Sequence, residues 1–248
     1  MDKSVLDKRV SFLKTVAPFK SLSTEDLGKF ARCFQARSYR HRDIIIREGD
    51  RTSEFYVISA GKVRILTLNP TGDESCLRVL SSRDIFGELS ACDRAPRSAS
   101  VQALGNCTLL VMSHGAFLGF LRTLPDFSMA FIHFLLEKLR WTTLYSHTIA
   151  QYDTAGRLLH LLLHYKDMIG KETVPGKIYE VDLSLNQADL ASMVGAKREW
   201  VNRLLQQWRK QGLLTYDRGK ITLLDLPAVV AERDRRMAML QESSWGEI

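Results

Sequence analysis

The sequence contains no long uncharged apolar run and no apolar centre near its start. Its richest apolar stretch, residues 158–163, is interrupted by His160 and falls short of the ~20 residues that a membrane-spanning helix needs. Residues 1–15 carry several charged side chains where a secretory signal requires apolar ones. We therefore expect a cytoplasmic protein that does not contact a membrane.

Metal-binding and catalytic patterns are also scarce. No two of the four cysteines, Cys33, Cys76, Cys92 and Cys107, stand within the spacing of a metal clip. His160 and His164 have the spacing of a helical metal pair, but no third ligand accompanies them. Neither a P-loop nor a G-x-S-x-G elbow is present. We expect no metal and no enzymatic activity; a metal-dependent cupin-type enzyme with an accessory domain is the alternative from another class.

The composition allows a folded core and indicates an anionic partner. Of the 248 residues, 45% are hydrophobic and 25% are charged, and the formal net charge is +7. This length is typical of one or two domains. Residues 196–220 concentrate the charge, since they hold seven Lys and Arg against two acidic residues. Such a run is expected to contact phosphates, with strong dependence on salt.

The first half of the chain is predicted to contain helices and then a β-structure. Residues 1–35 predict one or two helices, and Ser23 with Asp26 marks a helix start. Short β-rich runs follow within residues 39–112, at 44–46, 55–58, 62–66 and 108–111. Turn signals at 48–50, 60–61, 69–73 and 104–106 separate these runs, which predicts an all-β barrel or roll.

A long helix is predicted from Pro125 to about residue 165. It carries two stripes: Leu135, Leu139, Thr142, Ser146 and Ile149 form one, and Phe131, Phe134, Lys138, Trp141 and Tyr145 form the other. One stripe can pack on the roll and the other on the same helix of a second copy, which predicts a homodimer. The sequence leaves open which stripe does which.

The C-terminal part predicts a winged helix-turn-helix. After a break at residues 170–176 and a strand at 178–181, Asn186 caps a helix that ends at Gly195. A second helix over about 197–211 and a hairpin over 213–224 complete the unit. Residues 226–248 predict one more helix. The fold class is therefore α+β.

A cluster of chemically suited residues lies at 86–99. A cyclic phosphate inside a β-roll needs free backbone N–H groups, one arginine for its charge and a carboxylate for the ribose 2′-hydroxyl. Gly87 supplies the first, Arg97 with Ser98 the second, and Glu88 the third. The alternative is that Glu88 and Arg97 merely form an ion pair in a roll that binds no ligand.

This segment resembles the phosphate-binding cassette of cyclic-nucleotide-binding domains, F-G-E-L followed by R-S/T/A-A, which adds Leu89 and Ala99 to the candidates. The order of roll, long helix and winged helix-turn-helix is similar to the CRP/FNR regulators over nearly the whole chain. The resemblance implies a β-roll (double-stranded jelly roll) cyclic-nucleotide-binding domain with N-terminal helices at 1–124. A long dimerisation helix at 125–153 and a winged helix-turn-helix DNA-binding domain at 154–248 follow.

The resemblance extends to the long helix. Residues 155–158, Ala-Gly-Arg-Leu, resemble the family's T-G-R-I/L motif, and counting back places Thr142 and Thr143 at the adenine edge of the ligand. Lys138 matches a basic position that pairs with the cassette glutamate, here Glu88. These residues favour cAMP, although hydroxyl groups also suit cGMP, and cyclic di-GMP is a further alternative.

The second predicted helix presents Arg198, Glu199, Asn202 and Arg203 on one face, and Val201, Leu204, Leu205 and Trp208 on the opposite, buried face. It resembles the recognition helix G-x-S-R-E-T-V-x-R of the family, which implies TGTGA half-sites in a palindrome. Lys197 and Trp200 depart from that pattern. Gln187 and Lys220 complete the predicted DNA contacts.

The predicted function is a cytoplasmic, homodimeric and allosteric transcription regulator that binds cAMP and double-stranded DNA. Gly156 is expected near the hinge between the domains, and RNA polymerase is an expected partner. A regulator of the same fold that needs no ligand, or that senses another small molecule, is the alternative.

Overall fold

The computed structural model describes residues 2–68, 74–183 and 185–243, and it divides into two compact units, Met1–Arg140 and Trp141–Ile248. The predicted turn at 69–73 lies outside the described residues, as do the side chains of Tyr145 and Ile149. In the described part of the chain, no helix is both long enough and apolar enough to cross a bilayer.

Two helices open the first unit, α1 (Lys3–Leu13) and α2 (Thr24–Cys33), with a short 3₁₀ helix at Ala17–Phe19 between them. The Ser23 hydroxyl accepts a hydrogen bond from the Asp26 backbone N–H, so the predicted cap of α2 is confirmed. Phe19 and Phe30 are fully buried and their rings meet edge to face, which fixes the 3₁₀ helix against α2.

An antiparallel sheet forms the body of this unit. Its strands pair in the order β1-β6-β3-β4, while β2 pairs with β6 and β5 pairs with β3. A short helix, α3 (Glu88–Asp93), lies between β5 and β6 in the chain. The predicted β-roll is therefore confirmed, with strands β1 (Gln35–Tyr39), β2 (Ile44–Ile46), β3 (Phe55–Leu68), β4 (Glu74–Ser81), β5 (Ile85–Phe86) and β6 (Ser100–Met112).

Two of the predicted turns are wrong, because β3 and β6 run through them without a break. The register of the two strands shifts on both sides of Ala60, where Gly61 and Gly105 adopt positive φ angles of 85° and 82°. A Cβ on Gly61 would lie 2.5 Å from the Asn106 carbonyl oxygen of the facing strand. The glycines therefore mark bulges that bend two long paired strands.

The structure decides which side of the long helix faces the core. After α4 (His114–Thr123), helix α5 spans Pro125–Gln151. Phe131 is buried, and Phe134 and Leu135 pack against the same cluster of the first unit. Leu135 and Leu139, predicted to belong to one stripe, therefore differ in burial, since Leu135 packs on the core and Leu139 is exposed. We call the exposed side of α5 the outer stripe, formed by Met129, Ile132, Leu136 and Leu139.

The helical pattern predicted up to about residue 165 is interrupted at residues 152–153. The Asp153 carboxylate caps α6 (Thr154–Ile169) by accepting from the Gly156 backbone N–H at 2.7 Å. The hinge expected near Gly156 stays a prediction; this residue is buried in the first turn of α6, directly after the break between α5 and α6. A Cβ there would lie 2.7 Å from Tyr152 Cδ1 and 3.0 Å from Arg236 Cβ. Close packing explains this glycine.

The second unit contains the predicted winged helix-turn-helix. The Asn186 side chain and Asp189 form a complete capping box, and Gly195 ends the capped helix with a positive φ of 67°. The predicted break at 170–176 instead contains a strand, which pairs with the next one. The elements are β7 (Lys171–Val174), β8 (Ile178–Asp182), α7 (Gln187–Val194), α8 (Arg198–Lys210), β9 (Leu214–Asp217), β10 (Lys220–Leu223) and α9 (Leu226–Ser243), and the sheet order is β7-β8-β10-β9.

Candidate functional site

Gly87 joins β5 to α3 in a conformation that favours glycine. Its φ is +75°, in the left-handed region, and it precedes the first turn of α3. A Cβ at this position would lie 2.8 Å from Arg97 Nη1 and 2.9 Å from the Glu54 carbonyl oxygen. The missing side chain therefore lets the backbone approach the Arg97 guanidinium closely.

Arg97 is 3% exposed, and its guanidinium donates to three neutral oxygens. Nε donates to Thr52 Oγ1 at 3.0 Å, Nη1 to the Gly87 carbonyl at 3.1 Å and Nη2 to the Glu54 carbonyl at 2.9 Å. A guanidinium carries five N–H donors in a planar fork. The head group is therefore oriented by the protein and keeps donors for one further acceptor.

No carboxylate within the described ranges forms an ion pair with Arg97. Glu54 pairs with Arg37 at 3.1 Å and accepts from the Tyr56 hydroxyl at 2.8 Å, while Glu88 pairs with Lys138 at 2.9 Å. The alternative in which Glu88 and Arg97 form an ion pair is therefore wrong for this structure. Burial lowers the pKa of Arg97, but an arginine remains protonated near neutral pH. A buried cation that no carboxylate contacts directly is suited to bind an anion.

Lys138 of α5 holds the Glu88 carboxylate in place. Lys138 Nζ donates to Glu88 Oε1 at 2.9 Å and to the Ile85 carbonyl at 3.2 Å, so the predicted pairing of Lys138 with Glu88 is present. Glu88 is 7% exposed, and its carboxylate is oriented by Lys138. A carboxylate fixed in this way can accept from a hydroxyl group with little loss of side-chain entropy.

The other predicted ligand residues are more accessible. Leu89 and Ser98 are exposed and Ala99 is half-buried. Thr142 and Thr143 are exposed positions of α5 that belong to the second unit. The first unit thus brings together Gly87, Glu88, Arg97 and Lys138.

The sequence did not reveal Thr52, Glu54 and Tyr56 as parts of this site. Thr52 and Glu54 accept from Arg97, and the Tyr56 ring lies 5.7 Å from its guanidinium carbon. Burial and the bond to Glu54 raise the pKa of Tyr56, so its hydroxyl stays protonated and donates. These residues precede Arg97 by more than forty positions, and no local pattern marks them.

The second candidate surface lies on α8. Val201, Leu204, Leu205 and Trp208 are buried, as predicted. The opposite face exposes the predicted residues Arg198, Glu199, Asn202 and Arg203. Lys197 has an extended backbone before the helix and makes no side-chain cap. These polar groups are therefore not needed by the core of the unit.

Neighbouring elements extend this surface. Gln187 Nε2, at the start of α7, donates to Asn202 Oδ1 at 3.3 Å, and Lys220 is exposed at the start of β10. A concave region of about 460 Å³ is lined by Asn186, Gln187, Ala188, Arg198 and Tyr216. The start of α7, the start of α8 and the wing therefore face one groove. Within the residues that can be described, no group of three His, Cys, Asp or Glu side chains is placed to hold a metal ion.

Two family models match the chain. Residues 36–123 match the cyclic nucleotide-binding domain, which covers the roll and the cassette. Residues 156–231 match the Crp-like helix-turn-helix domain, which covers α6 to α8, the wing and the start of α9.

Two curated relatives match this chain over most of their length. The chain is 27% identical to the CRP-like cAMP-activated global transcriptional regulator of Mycobacterium tuberculosis. The aligned 217 residues cover 88% of this chain and 96% of that protein. It is 25% identical to the cyclic AMP receptor protein of Thermus thermophilus, over 92% of this chain and 96% of that one. The solved structure of CLP, the c-di-GMP-responsive global regulator of Xanthomonas campestris, has the same fold. It matches with a TM-score of 0.66 and 22% identity over 82% of this chain and 99% of that one. The chain belongs to the CRP/FNR family of transcription regulators, in which a cyclic-nucleotide-binding domain precedes a helix-turn-helix that binds DNA.

Proposed function

We propose that this chain is a homodimeric transcription regulator that binds cAMP in its β-roll and then recognises a TGTGA-like palindrome. The observation that carries the ligand proposal is the buried Arg97 guanidinium, whose partners are neutral oxygens. A cyclic phosphate supplies the single negative charge that this cation lacks. Regulation follows if ligand binding stabilises one of two conformations of the dimer.

Each candidate residue is assigned a contact with the nucleotide. Arg97 and Ser98 bind the phosphate with the backbone around Gly87, and Glu88, held by Lys138, accepts from the ribose 2′-hydroxyl. Leu89 and Ala99, the remaining cassette candidates, also contact the ligand, and Thr142 and Thr143 contact the base. The relatives from M. tuberculosis and T. thermophilus are named for cAMP, which favours cAMP over cGMP and cyclic di-GMP.

The DNA contacts are assigned to α8 and its neighbours. Arg198 and Arg203 read guanine O6 and N7, and Glu199 accepts from cytosine N4. Lys197, Lys220, Gln187 and Asn202 contact phosphates or adjacent base edges. Since its target is DNA, the protein works in the compartment that contains the DNA, in keeping with the expected cytoplasmic location.

The outer stripe of α5 is the proposed dimer contact. Its four residues follow at intervals of three and four, which is the spacing of a two-helix seam. On this assignment, residues 1–124 form the ligand domain, 125–153 the dimerisation helix and 154–248 the DNA-binding domain. RNA polymerase is the proposed further partner of the DNA-bound dimer.

The proposal is tested by titrating the purified protein with cAMP, cGMP and cyclic di-GMP in a calorimeter. The same three nucleotides are added in gel shifts on a TGTGA palindrome. We expect cAMP to bind most tightly and to strengthen the shift. If none of the three binds at millimolar concentration, the ligand assignment is wrong. If cGMP or cyclic di-GMP binds best, the assignments of the fold and of the ligand site are retained, and that nucleotide replaces cAMP as the proposed effector.

The change Arg198→Ala should weaken binding to the palindrome by about 1–3 kcal/mol and relax the preference at one base pair. The reason is that a bidentate arginine contact distinguishes guanine from the other bases. Fluorescence anisotropy with a panel of single-base variants measures both effects. Arg209→Ala, an exposed change near the end of the same helix, is the matched control and should leave the base preference unchanged. Equal loss on random DNA would make Arg198 a phosphate contact only.

The change Gly87→Ala should destabilise the first unit and weaken nucleotide binding. The positive φ alone costs about 1–2 kcal/mol for a residue with a Cβ, and the added methyl group also displaces Arg97. The matched control is Gly105→Ala, because Gly105 has a similar φ of 82° with open space around its Cβ position. Both variants carry the cost of the positive φ, so thermal unfolding should show a loss of stability for both, larger for Gly87→Ala because of its contacts. Calorimetry should show a loss of ligand affinity only for Gly87→Ala. Unchanged affinity in that variant would contradict the close approach.

A further inference from the structure

Trp200 is a large apolar side chain on the exposed face of α8. It is 41% exposed, whereas Val201, Leu204 and Trp208 of the same helix are buried. A side chain in this position contributes little to the core of the unit. Its contacts on the surface therefore need a separate explanation.

The surface contact of Trp200 is with Arg203. The guanidinium carbon of Arg203 lies 5.2 Å from the centre of the Trp200 ring, within the range of a cation–π interaction. Side chains of a helix lean toward its N-terminus, so a residue three positions later covers the preceding one. Arg203 is thus drawn toward the beginning of α8, where Arg198 and Glu199 lie.

Glu199 is the competing partner for Arg203. It stands four positions before Arg203, and Glu and Arg at this spacing ordinarily attract each other on a helix surface. In the part of the chain that is described, the two side chains form no ion pair, and Arg203 contacts Trp200 instead. The indole therefore leaves the Glu199 carboxylate available to other donors.

We propose that Trp200 is a positioning residue that determines specificity, because it holds Arg203 away from Glu199 so that both can contact base edges. The guanidinium then donates to guanine, and the carboxylate accepts from the amino group of cytosine. An ion pair between Arg203 and Glu199 would satisfy both side chains within the protein, so neither would be available to a base. This inference rests on the proposed function in one respect, since it requires that α8 enters the major groove.

The test is selection of binding sites from a random-sequence duplex library, with and without cAMP, by the wild type, Trp200→Leu and Trp200→Phe. For Trp200→Leu we expect about a fivefold loss of preference at the guanine and cytosine positions, the scale that an exposed cation–π contact allows. Affinity for non-specific DNA and its salt dependence should not change, because phosphate contacts are kept. Trp200→Phe should retain most of the preference, since it keeps an aromatic face.

A double variant distinguishes positioning of Arg203 by the indole from direct contact of the indole with DNA. Adding Glu199→Gln to Trp200→Leu removes the competing charge, so the guanine preference should return while the cytosine preference stays lost. The inference is overturned if Trp200→Leu selects the same sites as strongly as the wild type. It is also overturned if that variant loses affinity equally for all sequences. The same holds if Trp200→Phe does not retain the preference and Glu199→Gln does not restore it.

The sites that the wild type selects distinguish failure of the proposed function from failure of the inference about Trp200. A consensus other than TGTGA corrects the proposed target site but leaves the comparison between the variants valid. Absence of any consensus overturns both the proposed function and the role of Trp200.

Discussion

Replacement of Arg97 by alanine is expected to abolish nucleotide binding at micromolar concentrations. Truncating one member of a buried, hydrogen-bonded charge pair costs about 2–5 kcal/mol, or roughly 30-fold to several thousandfold in affinity. Calorimetric titration with cAMP measures this loss. The effect should be large because Arg97 is the buried cation of the site and its guanidinium is already oriented by Thr52, Gly87 and Glu54.

Two further variants sharpen this prediction. Arg97→Lys keeps the charge but not the planar fork, so its affinity should lie between those of the wild type and Arg97→Ala. Arg122→Ala removes an exposed charge on α4 and should bind as tightly as the wild type. If Arg97→Ala keeps its affinity and unfolds as the wild type does, the phosphate is bound elsewhere. Thermal unfolding also shows whether the loss reflects a damaged roll, since the variant leaves two carbonyls and one hydroxyl without their donor.

Replacement of Trp208 by alanine is expected to destabilise the second unit by about 3–5 kcal/mol, the range for removing a buried aromatic side chain. Trp208 is completely buried and belongs to the apolar face of α8 with Val201, Leu204 and Leu205. The cavity left behind should unfold α8 at lower urea concentration and abolish DNA binding. Urea unfolding followed by circular dichroism, with gel shifts at each concentration, measures both.

Trp208→Phe is the matched control for this change. The indole N–H of Trp208 is buried and has no acceptor among the residues that the structure describes. Phenylalanine keeps an aromatic ring and loses no hydrogen bond, so the destabilisation should be less than half that of Trp208→Ala. Nucleotide binding by the first unit should be unchanged in both variants. Equal losses for the two variants would contradict this prediction, because the phenyl ring would then replace none of the contacts of the indole.

The DNA-binding half of the chain was largely predictable because its signals are local. The capping box of Asn186 and Asp189 and the positive φ at Gly195 involve residues within a few positions of each other. The buried face of α8 also follows from helical periodicity. The pattern did not predict strand β7, because Lys171–Val174 is exposed throughout and carries no apolar alternation, and its contacts are with the neighbouring strand β8.

The presence of a β-roll could be predicted from the sequence, but the positions of its turns and bulges could not. Gly61 and Gly105 indicated turns, since a positive φ is needed in a turn and in a bulge alike. The pairing of β3 with β6 decides between the two, and that pairing joins residues about forty positions apart. The close packing at Gly156 is only partly local, because Tyr152 lies four positions before it and Arg236 eighty positions after it.

The sequence by itself determined the order of the domains, the cassette around Gly87, Glu88 and Arg97, and the polar face of α8, because each depends on residues close together in the chain. The tertiary structure alone decided that Thr52 and Glu54 orient Arg97. The pairing of Glu88 with Lys138, which the resemblance implied, is present in it. The tertiary structure also decided which stripe of α5 is buried. Periodicity specifies which residues share a face, but only the packed neighbours specify what that face contacts.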